Sequence, residues 1–280
     1  MALQRVYQKK GSRICFGQRR DARANLLPAQ AIKLTLAPRL AHDERREDVK
    51  GRTRKILFFM AAVGLLLPLG GSWRGRCAVP DSLAAMARRY PETRELVERY
   101  RALAGRHQQI DVSGELTEGE IPLFLQWDAR WGLEDYGGNF MAVNACGPTC
   151  LSMVVCGLTE DAAWNPYATA QYSDSHGYYT PGWGTSWDLM TQGARELGLR
   201  VSEGEISSDY ILAHASPETP LICSMKPGDF TTGGHFIVLT GVDEAGLVIV
   251  NDPNSRRNSE KHWDAAVLAA QMKAIWLYSL

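Results

Sequence analysis

A cysteine side chain is a nucleophile only as the thiolate, and two features favour that form: the N-terminal end of a helix and a neighbouring imidazole. Cys146 meets the first condition from sequence alone. It lies in Asn144-Ala145-Cys146-Gly147-Pro148-Thr149-Cys150, where Gly147 permits close approach of backbone or ligand. Pro148, suited to a first helical turn, opens an apolar run to Cys156. The dipole and first N–H groups of that helix would face the sulfur and could also bind an oxyanion. Cys150, Cys156 and Cys223 fall inside apolar helix or strand and read as small buried hydrophobes.

Of the six histidines, only His235 opens a predicted strand, directly after Gly233-Gly234 and ahead of Phe236-Ile237-Val238-Leu239. An imidazole at that position sits at the rim of a sheet, where it can act as a base or simply be a satisfied structural histidine. A third group should orient it from the neighbouring strand, and Val250-Asn251-Asp252-Pro253 offers two candidates. If Val242 pairs with Leu247 across the turn Asp243-Glu244-Ala245-Gly246, Asn251 falls opposite Val238 and Asp252 opposite Ile237. Residues of one parity share a face, so Asp252 lies on the face of His235. A slip of one residue would hand the role to Asn251.

These residues need a scaffold. Asp81 to Arg106 shows apolar residues at helical spacing, interrupted by Pro91, and predicts two short helices. Gln108 to Gly119 reads as linker. From Ile121 the chain turns aromatic and glycine-punctuated, with seven of its eight tryptophans beyond residue 125. Ile121–Leu125 is a strand candidate. A buried helix should span Pro148–Cys156 with Gly157 at its C-terminal cap, and another should follow a Thr159 cap. A further helix starts at Thr185 or Ser186 and ends at Gly198, and a short one begins near Ser207. Strands are expected at Leu221–Met225, His235–Val242, Leu247–Asn251 and Ala274–Tyr278, with a helix at Ala265–Met272. Helices first and an antiparallel sheet after them indicate an α+β domain.

Taken in order, Gln126-Trp127-Asp128-Ala129-Arg130-Trp131, Asn144 to Thr149, Gly234-His235-Phe236-Ile237-Val238 and Asn251-Asp252-Pro253 resemble cysteine peptidase family thirty-nine. The closest likeness is to its exported or cell-envelope branch, within the papain-like superfamily. The resemblance covers about residues 120 to 280. It implies a papain-like fold, N-terminal helices packed on a C-terminal antiparallel sheet, and Cys146, His235 and Asp252 as a triad. It also implies a glutamine donating to the oxyanion. Leader-processing members carry that glutamine about six residues before the cysteine, where this chain has Phe140, and Gln126, twenty residues upstream, is the candidate. The implied activity is hydrolysis of peptide bonds through an acyl-enzyme. A cell-wall peptide amidase with the same triad and a non-catalytic envelope binding module are the alternatives. The aromatic loops with Trp127, Trp131, Tyr178, Tyr179 and Trp183 would line a cleft for an extended peptide or protein substrate.

No cofactor is implied. A zinc site from Cys146, Cys150 and Cys156 is disfavoured, because residues four apart share a helix face and Cys156 lies on another. No phosphate-binding glycine loop or basic aromatic surface points to nucleic acid.

The formal charge of zero hides a division: residues 1 to 55 carry 15 Lys or Arg against 5 Asp or Glu, a charge of +10, and the remainder carries −10. Between them Ile56 to Pro68 runs 13 residues without a charge, directly after Lys50, Arg52, Arg54 and Lys55. A signal-peptide core needs about 7 to 15 apolar residues and a spanning helix roughly 20. The segment 56–73 therefore reads as a signal peptide or, extended through Trp73, as a membrane anchor, placing the domain outside the cell, secreted or anchored. Residues 74–119 form a helical spacer and linker, and 120–280 the peptidase-like domain. The basic extension 1–55 is expected to be a disordered tail or an artefact of gene prediction, with translation starting near Val49. Mass spectrometry of the native product should then find no peptide from residues 1 to 45, and such peptides would overturn the late start.

Overall fold

The computed structural model describes residues 78–280. The basic extension, the export segment, Cys15 and Cys77 lie outside the described residues. No helix among the described residues is long and apolar enough to cross a membrane.

The centre of the molecule is a five-stranded, wholly antiparallel sheet. Its strands are β1 (Arg200–Glu203), β2 (Leu221–Met225), β3 (His235–Val242), β4 (Val248–Asn251) and β5 (Met272–Ser279). They lie in the order β1-β5-β2-β3-β4. Side-chain alternation sends Ile222, Phe236, Val238, Trp276 and Tyr278 to one face, where they pack with Leu151, Val154, Val155 and Met190. Leu221, Cys223, Ile237, Leu239, Val250 and Ile275 point to the other, against Ile211, Phe230, Trp263 and Leu268. Both faces are covered, so β2 is buried at every residue and β3 at all but its last. The mixed helix-and-sheet class expected from the order of elements is what the chain adopts.

The β3–β4 hairpin carries a compensated register. Near the turn Val242 pairs with Val248 and Gly241 with Ile249, one residue off the expected pairing. An irregularity between Leu239 and Gly241 absorbs that residue, and beyond it Leu239 meets Val250 and Val238 meets Asn251. The expected alignment of the functional end is thus reached by a different route. The turn is one residue longer because the Asp243 carboxylate caps it, accepting from the N–H groups of Ala245 and Leu247 at 2.8 Å each.

Several sequence-based expectations need correction. Ile121–Leu125 joins no strand ladder: Pro122 has no N–H to offer, and the Ile121 and Pro122 carbonyls instead accept from Asn251 Nδ2 at 3.0 and 3.1 Å. The helix expected over Pro148–Cys156 runs from Cys146 to Thr159 and ends on Glu160, whose φ of 56° is left-handed. Gly157 lies inside it because a Cβ there would meet Ile121 Cδ1 at 2.5 Å and the Glu120 carbonyl at 3.0 Å. The next cap is therefore not Thr159. Asp161 caps a 3₁₀ turn at Ala162–Trp164, and Asn165 caps Pro166–Ser175. The helix after Ser186 contains a π segment, Leu189–Gly193, continues as Ala194–Glu196 and is followed by Gly198 with φ 91°. Strand β1, a short and polar edge, has no apolar alternation to mark it in the sequence.

The segment preceding the sheet domain is docked upon it. The helices Asp81–Arg89, Arg94–Glu98 and Tyr100–Leu103 bury Leu83, Met86, Leu96 and Tyr100 against Phe140 and Ala142. Val112, in the stretch read as linker, is fully buried in the main core. Arg130 holds that stretch by pairing with Glu115 and bonding the Asp111 carbonyl.

A left-handed C-cap favours glycine, which carries no Cβ penalty there. Glu160→Gly relieves a left-handed Cβ penalty of roughly 1–2 kcal/mol and loses part of it to unfolded-chain entropy, so stability in chemical denaturation should rise by about 0.5–1 kcal/mol; an unchanged or lower midpoint would contradict the cap.

Candidate active site

Cys146 is the first residue of its helix, half-buried, and preceded by a separate turn at Met141–Asn144 with Ala145 between them (φ −94°, ψ 25°). Gly147 is required by its surroundings. A Cβ on it would come within 2.7–2.8 Å of the Thr185 side chain. Thr185 is itself fixed, its hydroxyl 2.9 Å from Tyr136 Oη, which also bonds Ser173 at 2.9 Å. The hairpin pairing Tyr179 with Thr185 therefore abuts the residue next to the thiol.

His235 is the first residue of β3, paired across to Met225 of β2 and 5% exposed. Its Nε2–H donates to Asp252 Oδ1 at 2.7 Å. Cys146 is the other group near enough to act on the same imidazole. Burial pulls the imidazole pKa down, but the charge of Asp252 and its hydrogen bond, joined by the influence of the nearby Cys146, outweigh it and raise the value to about 10.

Asp252 immediately follows β4 and is fully buried. Its carboxylate is supplied with donors on both oxygens. Besides the imidazole, Oδ1 accepts from the Asn254 backbone N–H at 2.8 Å, and Oδ2 accepts from Asn258 Nδ2 at 2.8 Å. Its own N–H donates to Ser259 Oγ at 2.9 Å. Asn251 faces away, tied to Ile121 and Pro122, so the carboxylate and not the neighbouring amide meets the ring.

Gln126 is 2% exposed, its backbone N–H bonded to the Pro253 carbonyl at 2.8 Å. Its Nε2 donates to the Ala142 carbonyl at 2.8 Å, in the turn that leads into Cys146. The residue thus joins the loop after Asp252 to the turn before Cys146. The remaining histidines of the described region are engaged locally: His107 with Glu134, His176 with Tyr172, His214 with Tyr210 and His262 with Asp243. Cys150, Cys156 and Cys223 are free thiols with no exposure, and burial pushes the thiol pKa of each up, for Cys156 to about 12.

The aromatic set expected to line a cleft is divided. Trp131 is wholly buried with its Nε1–H on the Leu125 carbonyl, and Tyr178 is core. Trp127 is half-buried, its indole N–H on the Asn254 carbonyl at 3.0 Å. Tyr179 packs on Tyr136 with ring centroids 5.1 Å apart and accepts from Asn144 Nδ2. Only Trp183, 88% exposed at the tip of the hairpin beside Thr185, projects freely.

The model of the Peptidase C39 like family matches residues 118–279. The chain belongs to this family. Comparison with curated proteins and with solved structures finds no match. The matched span of this C39-like chain contains Gln126, Cys146, His235 and Asp252, but also Asn258 and Ser259, to which sequence reasoning assigned nothing. The signal for them was available: Ser255 caps the turn Arg256–Ser259, and a cap three residues after a candidate acid folds the following side chains back toward it.

The raised imidazole pKa has a thermodynamic consequence. A group whose folded pKa lies above its unfolded value near 6.5 contributes stability fully present below that pH and lost as pH rises through the folded value near 10. The unfolding midpoint should fall between pH 6.5 and 10, and His235→Gln should flatten that part of the curve. An identical slope in both proteins would show that the ring gains nothing from its partners.

Proposed function

We propose that this C39-like domain is a cysteine peptidase of papain-like architecture in which Cys146, His235 and Asp252 form the catalytic triad. The observation that carries the reading is the imidazole hydrogen-bonded to a buried, fully hydrogen-bonded carboxylate, with a half-buried thiol at a helix start as its other close influence. An imidazole held protonated beside a sulfur favours the thiolate, the form that attacks.

In this mechanism the Cys146 thiolate adds to the carbonyl carbon of the scissile amide. The tetrahedral oxyanion collapses as the His235 imidazolium gives its proton to the leaving amine, forming a thioester. His235, now neutral, takes a proton from water, which attacks the thioester and releases the acid and the thiolate. Asp252 keeps Nε2 protonated, so Nδ1 is the nitrogen turned to sulfur and substrate. Gln126 is the proposed oxyanion donor. One of its Nε2 protons is committed to the Ala142 carbonyl, and the second supplies the N–H that an oxyanion requires.

The substrate is proposed to be a peptide or protein, in keeping with the family, and the exposed Trp183 offers an apolar plane on the hairpin that abuts Gly147. We further propose that residues 56–73 export or anchor the chain, on the strength of their uncharged run after four basic residues.

Iodoacetamide at neutral pH should label Cys146 ahead of the three buried thiols, with Cys146→Ala abolishing the fast phase and His235→Ala slowing it at least about 10-fold. Cleavage of plain peptides in preference to muropeptides supports the peptidase reading, and the reverse preference makes it a cell-wall amidase. Indifference of all four thiols to the reagent would leave a non-catalytic binding module.

A further inference from the structure

The donors around Asp252 are not equivalent. Those on Oδ1 are the catalytic imidazole and a backbone N–H, whereas Oδ2 receives one side-chain donor, Asn258 Nδ2 at 2.8 Å. A buried carboxylate oxygen stripped of its donor either rotates toward another or takes up a proton. Either response weakens the charge facing His235.

Asn258 is itself held on three sides. Its backbone N–H donates to Ser255 Oγ at 3.2 Å, its carbonyl accepts from the Trp263 indole at 2.9 Å, and its amide ends on Asp252. Ser255 is anchored in turn, its hydroxyl donating to Glu92 Oε1 at 2.8 Å, while Glu92 Oε2 accepts from the Arg256 N–H at 2.9 Å. The side chain therefore has little freedom to point elsewhere. Its solvent side opens on a cavity of about 330 Å³ shared with Tyr90, Phe230 and Arg257, large enough to hold several waters.

We infer that Asn258 is a positioning residue for the reaction, fixing the Asp252 carboxylate in the rotamer whose Oδ1 accepts from the His235 ring. The inference rests on the triad reading above and adds a fourth side chain to it. Asn258 touches neither substrate nor sulfur; its effect reaches the thiol through the carboxylate and the ring.

A polar role and a packing role predict opposite orders in a substitution series. Asn258→Leu keeps the branched outline with added bulk and removes the donor, leaving Oδ2 buried and unpaired. Asn258→Ala removes the donor but lets cavity water reach the oxygen, and Asn258→Ser restores a short donor. The experiment measures the rate of Cys146 alkylation by iodoacetamide between pH 4 and 11 in the full chain, together with the melting temperature.

The expected order of reactivity at neutral pH is wild type, then Ser within about threefold, then Ala, then Leu reduced about 10-fold or more. In Leu the acid limb of the pH–rate profile should also move up as the sulfur loses its imidazolium partner. Leu reacting as fast as Ala, or an acid limb unchanged across the series, overturns the inference. If the Leu protein does not fold, Ser and Ala decide: Ser faster than Ala supports the donor role, and equal rates overturn it. The wild type separates the two layers of argument. A wild-type Cys146 that is no more reactive than in His235→Ala removes the triad reading and this inference together. A wild-type acid limb that the Asn258 variants leave untouched removes the inference alone.

Discussion

A carboxylate with no surface exposed has exchanged water for whatever donors the protein provides, and the arrangement around Asp252 is the constraint on which the site depends. Unpaired, such a group would be neutral, because an isolated buried charge costs far more than the shift in its pKa. It is instead met by an imidazole, a backbone N–H and an amide, and its own N–H is bonded to Ser259. Every one of these donors comes either from the first residue of β3 or from the loop that follows β4. The geometry therefore requires the hairpin to end in register at His235 and the chain to turn back sharply after Pro253.

The register requirement explains an otherwise odd feature of the sheet. A turn lengthened by one residue would, in a regular ladder, present the wrong side chain at the far end of the hairpin and bring Asn251 to the ring. The irregularity between Leu239 and Gly241 cancels the offset. The two local departures are separately unfavourable to a regular ladder and jointly neutral at the site. The strand is consequently free to carry a well-capped turn at one end without disturbing the imidazole–carboxylate contact at the other.

Much of this was legible from residue types. Gly-Gly before His235, an apolar strand after it, and Cys-Gly-Pro before an apolar run each report local geometry, and local geometry is what pattern and propensity encode. The expected pairing of Val238 with Asn251 rests on a four-residue turn that the chain does not form, and it holds because a longer turn and a bulge cancel; neither changes the composition of the strands. Gly157 misled because a glycine near a helix end signals a cap, whereas here its missing Cβ makes room for the Ile121 segment, a tertiary reason invisible in the helix's own sequence. The aromatic residues misled in a similar way. Trp131 and Trp183 are the same residue type in similar glycine-rich loops, yet one is a core residue and the other 88% exposed, and only the fold distinguishes them.

The matched family span begins at residue 118, but the physical unit that supports the site reaches further back. Glu92 lies 26 residues before that boundary and caps the turn carrying Asn258 and Ser259 with both of its oxygens. Tyr100 packs edge-on against Phe140, with centroids 5.9 Å apart, in the segment that leads into Cys146. One side of the upstream helices thus bears on the loop that follows Asp252 and another on the approach to Cys146. A fragment cut at the family boundary would expose the apolar surface under Leu83, Met86, Leu96 and Tyr100 and would release the Ser255–Ser259 turn from its carboxylate anchor. Because the thiol and the acid lie on elements more than a hundred residues apart in the chain, their alignment is set by such bracing contacts as much as by the sheet between them. The helical segment is on this argument a part of the site's scaffold.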